Sequence, residues 1–206
     1  MAEVKAPRMS HRQRQALETR RAIAHAARTL FSQRGYVATS VEAVAEQAGV
    51  AARTVYAIFG TKKAILGAIC EEWLTEAGVR ETAVAGMAES DLRRRLALVA
   101  SSSRRQWESE RGVRAMLDGA AASDADVARM LAGWKDDRAR SLRMVVTGCE
   151  ADLRSGIDPD QAGAMLRALT GAEVYSELVA GAGWKPERYE QWLAALLVEV
   201  LVRPGS

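Results

Sequence analysis

Cysteine and histidine are scarce in this 206-residue chain, with two of each. Cys70 and Cys149 cannot make a disulfide framework. His11 and His25 fall in no ligand-like spacing with them, so no metal site is expected. Aromatics make up only 5% of the residues and there are 4 prolines, while alanine is abundant, a balance that favours helix over sheet. Long apolar runs are missing as well. The best candidate, residues 192–198 between Gln191 and Glu199, falls far short of the roughly 18–20 residues a membrane helix needs and reads as a buried helix. Residues 1–15 are polar and basic, without the apolar core of a secretory signal. The expected location is the cytoplasm, with no membrane partner.

Catalytic signatures are also lacking. There is no G-x-S-x-G, no H-E-x-x-H and no phosphate-binding loop, because Gly60-Thr61-Lys62 lacks the earlier glycine. Glu71 and Glu72 are adjacent and point apart on a helix, which makes a poor acid–base pair. The expectation is no enzyme, no catalytic residue and no cofactor.

What is present is 49% hydrophobic residues in helical periodicity, with no sustained alternation of strand type. Charge is divided unevenly. Through Lys63 there are 11 Lys and Arg against 4 Asp and Glu, a balance of +7, and the rest of the chain is −4. A basic N-terminal third on an acidic body points to a polyanion met by the first part only.

The spacing predicts about nine helices and no sheet, an all-α fold. The first helix covers about 12–34, with Ile23, Ala27, Leu30 and Phe31 on one face. A second runs from Thr39, where Thr39 and Glu42 have capping-box spacing, to Gly49. A third covers about 51–59 and a fourth, capped by Thr61, about 61–78. After a break near 86–91, helices are expected at 91–110, 112–121, 125–154, 159–181 and 186–202, with Pro159 and Pro186 in first turns.

The segment 39–59 carries the function. A DNA-binding helix-turn-helix needs a small residue where its helices cross, a left-handed turn residue and apolar inner faces. Counted from Val41, the sequence supplies Val44, Ala45, Ala48, Gly49, Val50, Val55 and Ile58 at those places. Thr39 and Ser40 stand at a helix N-terminus, where free amides suit a phosphate. The third helix exposes Ala52, Arg53, Thr54 and Tyr56. Arginine pairs with guanine edges in the major groove, and a tyrosine hydroxyl can meet a phosphate. Lys62 and Lys63 oppose the dipole of the first turn they occupy, a cost that a bound phosphate reverses.

The stretch 19–66, with its pattern ATS–VAEQAGV–TVY–F–TK, resembles the DNA-binding domain of the TetR family of bacterial repressors. Residues 173–193 resemble the end of some members. The resemblance implies a homodimer with a three-helix reader in 19–66 (motif about 40–59), preceded by a basic arm in 1–18. A helical effector-binding and dimerisation domain would follow in 67–206. By family position, Thr39, Ser40, Tyr56 and Lys62 would contact phosphates, and Arg53 and Thr54 would sit nearest the bases. Ala57 and Ile58 stand where many members carry polar or aromatic residues, which assigns both to packing.

In the larger body, Trp73, Trp107, Met116, Trp134 and Met144 are the candidate lining of an effector pocket, and an apolar or aromatic small molecule is the expected effector. Met165, Leu166 and Leu169, with Trp192, Leu196 and Val200, form stripes that would pair across a dimer as a four-helix bundle. The expected partners are thus a palindromic operator in double-stranded DNA, a second copy of the chain and a small molecule. A helical adaptor that binds no DNA is the other reading, and it requires the basic third to be coincidental.

Overall fold

The break points between helices decide this fold, and most follow from local chemistry. The computed structural model describes residues 10–110 and 112–205. Helix α1 (His11–Arg34) begins at a capping box: the Ser10 hydroxyl accepts from the Gln13 amide, and the Gln13 side chain accepts from the Ser10 amide. Residues 1–9 of the expected arm lie outside the described residues, and its remainder from His11 forms the first turns of α1. Next come α2 (Val41–Gln47), α3 (Ala52–Phe59) and α4 (Lys62–Glu76). At the start of α4 the Thr61 hydroxyl accepts from the Ala64 amide at 3.1 Å.

Beyond them lie α5 (Val79–Ala88), α6 (Leu92–Glu108), α7 (Val113–Ser123), α8 (Ala125–Met144), a 3-10 turn (Glu150–Asp152), α9 (Pro159–Leu169), α10 (Ala172–Tyr175) and α11 (Pro186–Leu201). A π-helical turn, Ser176–Gly181, continues α10. The described residues contain no β-strand, only an isolated antiparallel bridge between Leu153 and Val202. The all-α expectation holds, with eleven α-helices among the described residues against about nine.

The differences have identifiable causes. Helix α5 buries none of its residues, and Val84 and Met87 are exposed, so it shows no apolar stripe to read. The expected 125–154 helix stops at Met144. The β-branched run Val145-Val146-Thr147 follows, and Arg95 Nη1 donates to the carbonyls of Val145 and Thr147 at 2.9 and 2.6 Å. The expected 159–181 helix breaks after Leu169, where tertiary donors take the Thr170 carbonyl.

The chain forms two compact units. One holds the described residues up to Cys70 together with Gly112–Val127, and the other holds the remainder. In the first, Ile23, Leu30, Phe31, Val44, Val55, Ile65, Leu66 and Ile69 are buried. The structure groups α7 with α1, α2, α3 and the first part of α4, whereas the sequence division placed it in the larger body. Val113, Met116, Leu117 and Ala120 make its buried side, and α7 packs against α1.

In the second unit, α11 buries Tyr189, Leu193, Leu197 and Leu201 at i, i+4 spacing against Leu92, Leu96, Ala100, Ala162 and Leu166. Each of these leucines contributes about 1.5–3 kcal/mol of burial. Gly163 lets α9 approach α8 closely: a Cβ there would lie 3.1 Å from the Arg143 Cα. Among the described residues no helix is long and apolar enough to cross a membrane.

Candidate nucleic-acid interface

The hairpin of α2 and α3 is built from its turn outward. Ser40 caps α2, its hydroxyl accepting from the Ala43 amide at 3.1 Å. The cap therefore sits one residue later than the Thr39–Glu42 spacing indicated. Thr39 is 1% exposed, and its hydroxyl donates to the Gly35 carbonyl at 2.8 Å, which fastens the α1–α2 turn.

Helix α2 ends in a Schellman turn. The Gly49 amide donates to Glu46 O at 3.1 Å and the Val50 amide to Ala45 O at 3.0 Å. Gly49 has φ 68, a left-handed conformation that disfavours any other residue. Val44 and Ala45 of α2 are buried, as are Val55 and Phe59 of α3. Ile58 is half-buried and Phe59 takes the deeper position. Ala57, expected to pack, is exposed: three residues and four residues back along α3, Thr54 and Arg53 share its face.

The outer face of α3 carries exposed Arg53, Tyr56 and Ala57, with Ala52 and Thr54 half-buried. The Tyr56 hydroxyl donates to Glu42 Oε1 at 3.3 Å. The negative charge of Glu42 raises the Tyr56 pKa above its ordinary value, with smaller contributions from burial and that hydrogen bond. Ser40 is exposed at the N-terminus of α2.

The two lysines differ. Lys62 Nζ donates to Tyr36 O at 2.7 Å and Thr39 O at 3.0 Å, and lies 4.2 Å from the Tyr36 ring centroid. Burial lowers its pKa, opposed by nearby Asp124. It thus clamps the turn that presents Ser40. Lys63 reaches Asp126 Oδ2 at 3.6 Å. Sequence reasoning assigned Glu42 a capping role only, whereas it holds Tyr56, and passed over Arg20, whose guanidinium lies 4.5 Å from the Phe59 ring centroid. The basic character of α1 was the only signal for Arg20.

In the second unit, Trp73 and Trp107 lie 5.7 Å apart, centroid to centroid. Trp73 Nε1 donates to Gln106 O and Trp107 Nε1 to Thr170 O, each at 2.9 Å. Trp134 is half-buried and Met144 is exposed, while Met116 is buried in the first unit. The structure therefore brings Trp73 and Trp107 together and puts Met116 in a different unit from them. Arg138, which carries no signal in the charged run of α8, donates to Gln106 Oε1 at 3.0 Å and to Thr170 O and Oγ1 at 2.9 Å each. Of the dimer-face candidates, Leu166 is fully buried, whereas Met165, Leu169, Trp192, Leu196 and Val200 are half-buried.

Residues 23–69 match the family described as "Bacterial regulatory proteins, tetR family". No curated protein matches the sequence significantly. Among solved structures, the chain is similar to native NalD of Pseudomonas aeruginosa, the secondary repressor of the MexAB-OprM multidrug efflux pump. The TM-score is 0.71 at 20% identity, covering 92% of this chain and 99% of that one. It is also similar to SmeT in complex with triclosan (TM-score 0.63, 21% identity, 91% and 93% covered). A third similar structure is a putative transcriptional regulator from Saccharomonospora viridis in complex with choline (TM-score 0.60, 22% identity, 90% and 99% covered). Residues 23–69 thus carry the sequence signature of the TetR-family regulators, and over nearly its whole length the chain shares its fold with these solved structures.

Proposed function

We propose that this protein is a transcriptional repressor that binds a palindromic operator as a homodimer and is released by a small-molecule effector. The observation that carries the reading is the α2–α3 hairpin: locked by the Gly49 turn and the Val44, Val55 and Phe59 core, it turns Arg53, Thr54 and Tyr56 outward. In this reading α3 enters the major groove, Arg53 reads base edges, and Ser40, Tyr56 and Lys63 meet phosphates. Thr39 and Lys62 hold the turn from inside. The reader is residues 19–66, and effector binding and dimerisation belong to 67–206. The chain works in the cytoplasm, where its DNA is, and performs no catalysis.

The half-buried stripes of α9 and α11 supply the dimer face. Two copies of α3 would then address half-sites about 34–36 Å apart, or a multiple of that. The NalD resemblance favours repression, and the triclosan and choline complexes favour a small-molecule effector. An effector that prefers a different spacing of the two readers weakens operator binding by its differential affinity, typically about 1–3 kcal/mol. Helix α4 is the covalent route: its residues through Cys70 belong to the reader's unit and the rest to the other.

The test is a fluorescence-polarisation titration with DNA from upstream of the protein's own and neighbouring genes, against scrambled DNA, across a salt series. A preferred palindrome whose affinity falls steeply with salt supports the reading. No preference at low salt ends it.

A further inference from the structure

We propose that Arg138 is an anion-recognition residue, and that the effector it receives is an amphipathic carboxylate with an apolar or aromatic body. The inference rests on the effector-responsive reading above and names the chemistry of its ligand.

Arg138 sits on α8 among partners that carry no negative charge. Among the described residues these are the Gln106 amide oxygen, the Thr170 carbonyl and hydroxyl, and the Trp107 ring, 5.7 Å from the guanidinium. The carboxylates of Glu108 and Glu190 are both held by Arg104, and that of Asp137 by Arg140. Burial lowers the Arg138 pKa, opposed by Tyr189. A guanidinium cannot escape that burial by losing its proton.

The C-terminal end of α9 offsets part of the charge, because the Thr170 carbonyl stands at the negative end of that helix's dipole. About half a unit charge, on a half-buried side chain, is left without a counter-ion. Of the five N–H groups a guanidinium carries, the recorded bonds use one on Nη1 and two on Nη2. The two remaining donors, one on Nε and one on Nη1, diverge, so an anion would accept from them singly and not as a fork.

The surroundings fit the rest of such a molecule. Trp107 faces Arg138 and meets Trp73 in a tilted contact at 49°, and both indole N–H groups are tied to backbone carbonyls, so the rings are fixed surfaces. The Ser103 and Tyr189 hydroxyls lie 3.0 Å from one another beside the same Thr170 carbonyl. A pre-bonded cation flanked by aromatic faces and hydroxyls suits an acid head on an apolar body. It disfavours a cationic ligand.

The test uses the full chain and a panel of straight-chain and aryl carboxylates (octanoate, decanoate, benzoate, phenylacetate), each beside its neutral amide. Binding is read by thermal shift and by tryptophan fluorescence. Acids are expected to stabilise the wild type and perturb its fluorescence, with their amides weaker by roughly tenfold or more. R138M should remove the acid preference and R138K should keep part of it. Amides binding as well as acids, no acid binding at all, or R138M binding acids like the wild type would overturn the proposal. Should R138M fail to fold, the wild-type and R138K comparison decides alone. Operator release is measured separately: acids that bind without releasing DNA leave the anion site standing and refute the effector reading.

Discussion

The Arg138 guanidinium donates to both the carbonyl and the hydroxyl of Thr170 at 2.9 Å, 32 residues away in sequence. That carbonyl also accepts from Trp107 Nε1, and its helix ends there. Arg95 does the same beyond the end of α8, taking the carbonyls of Val145 and Thr147. In both places an arginine from another helix satisfies backbone groups that a continued helix would have used.

Arg53 is exposed on α3. Arg53→Ala is expected to weaken operator binding by about 1–3 kcal/mol while leaving nonspecific DNA binding nearly unchanged. Polarisation titrations with operator and scrambled DNA measure both. Equal losses on the two DNAs would assign Arg53 to the backbone.

Lys63 shares its charge with Asp126 across an exposed 3.6 Å pair, a contact worth little in stability. Lys63→Ala should therefore leave the fold intact, weaken all DNA binding alike and lower the salt slope by about one. Asp126→Asn should have the opposite effect on nonspecific affinity. Lys62, by contrast, clamps two carbonyls, so Lys62→Ala should lower thermal stability as well as DNA affinity. A Lys62→Ala protein that melts like the wild type would return Lys62 to a surface role.

Burial and the nearby Asp124 and Asp126 push the Tyr36 hydroxyl up to about 12. The folded state then keeps a proton that the unfolded state loses near the ordinary value of 10. The stability this contributes is full below pH 10 and disappears as pH rises from there to about 12. Lys62, on the same ring, has a lowered pKa and works the other way, its burial cost fading as pH rises toward 10.5. Tyr36→Phe should flatten the alkaline fall. Urea unfolding of wild type and variant between pH 9 and 12 reads the difference, and parallel curves would remove Tyr36 as the cause.

Leu196 and Val200 are half-buried on α11, while Leu166 is fully buried. Leu196→Arg should produce a folded chain of 22.3 kDa by light scattering, with operator binding lost. Leu166→Ala should instead cost about 2–5 kcal/mol of stability and leave association unchanged while the protein remains folded. A Leu196→Arg protein that is still dimeric would move the interface elsewhere.

The reader was legible in the sequence because its determinants are local. Gly49 selects the turn, Val44 and Val55 lie inward by helical spacing, and Arg53 and Tyr56 fall outward by the same count. Within that frame the sequence missed by single residues: Ser40 caps α2 where Thr39 had the spacing, and Phe59 is deeper than Ile58. A capping box and its neighbour differ only in which backbone turns helical first, and the buried hydroxyl bond from Thr39 to Gly35 settles that choice from outside the motif.

The larger body was legible as helices and little more. Hydrophobic period fixed α11 and its i, i+4 face, because burial on one side leaves a stripe in the sequence. It did not reveal α5, which buries nothing, or the ends of α8 and α9, where Arg95 and Arg138 take the carbonyls from 50 and 32 residues away. Nor did it join α7 to the reader's unit. Period records which side of a helix is apolar. Which distant donor interrupts a helix, and where a cation is left without an anion, is decided only when the chain has folded.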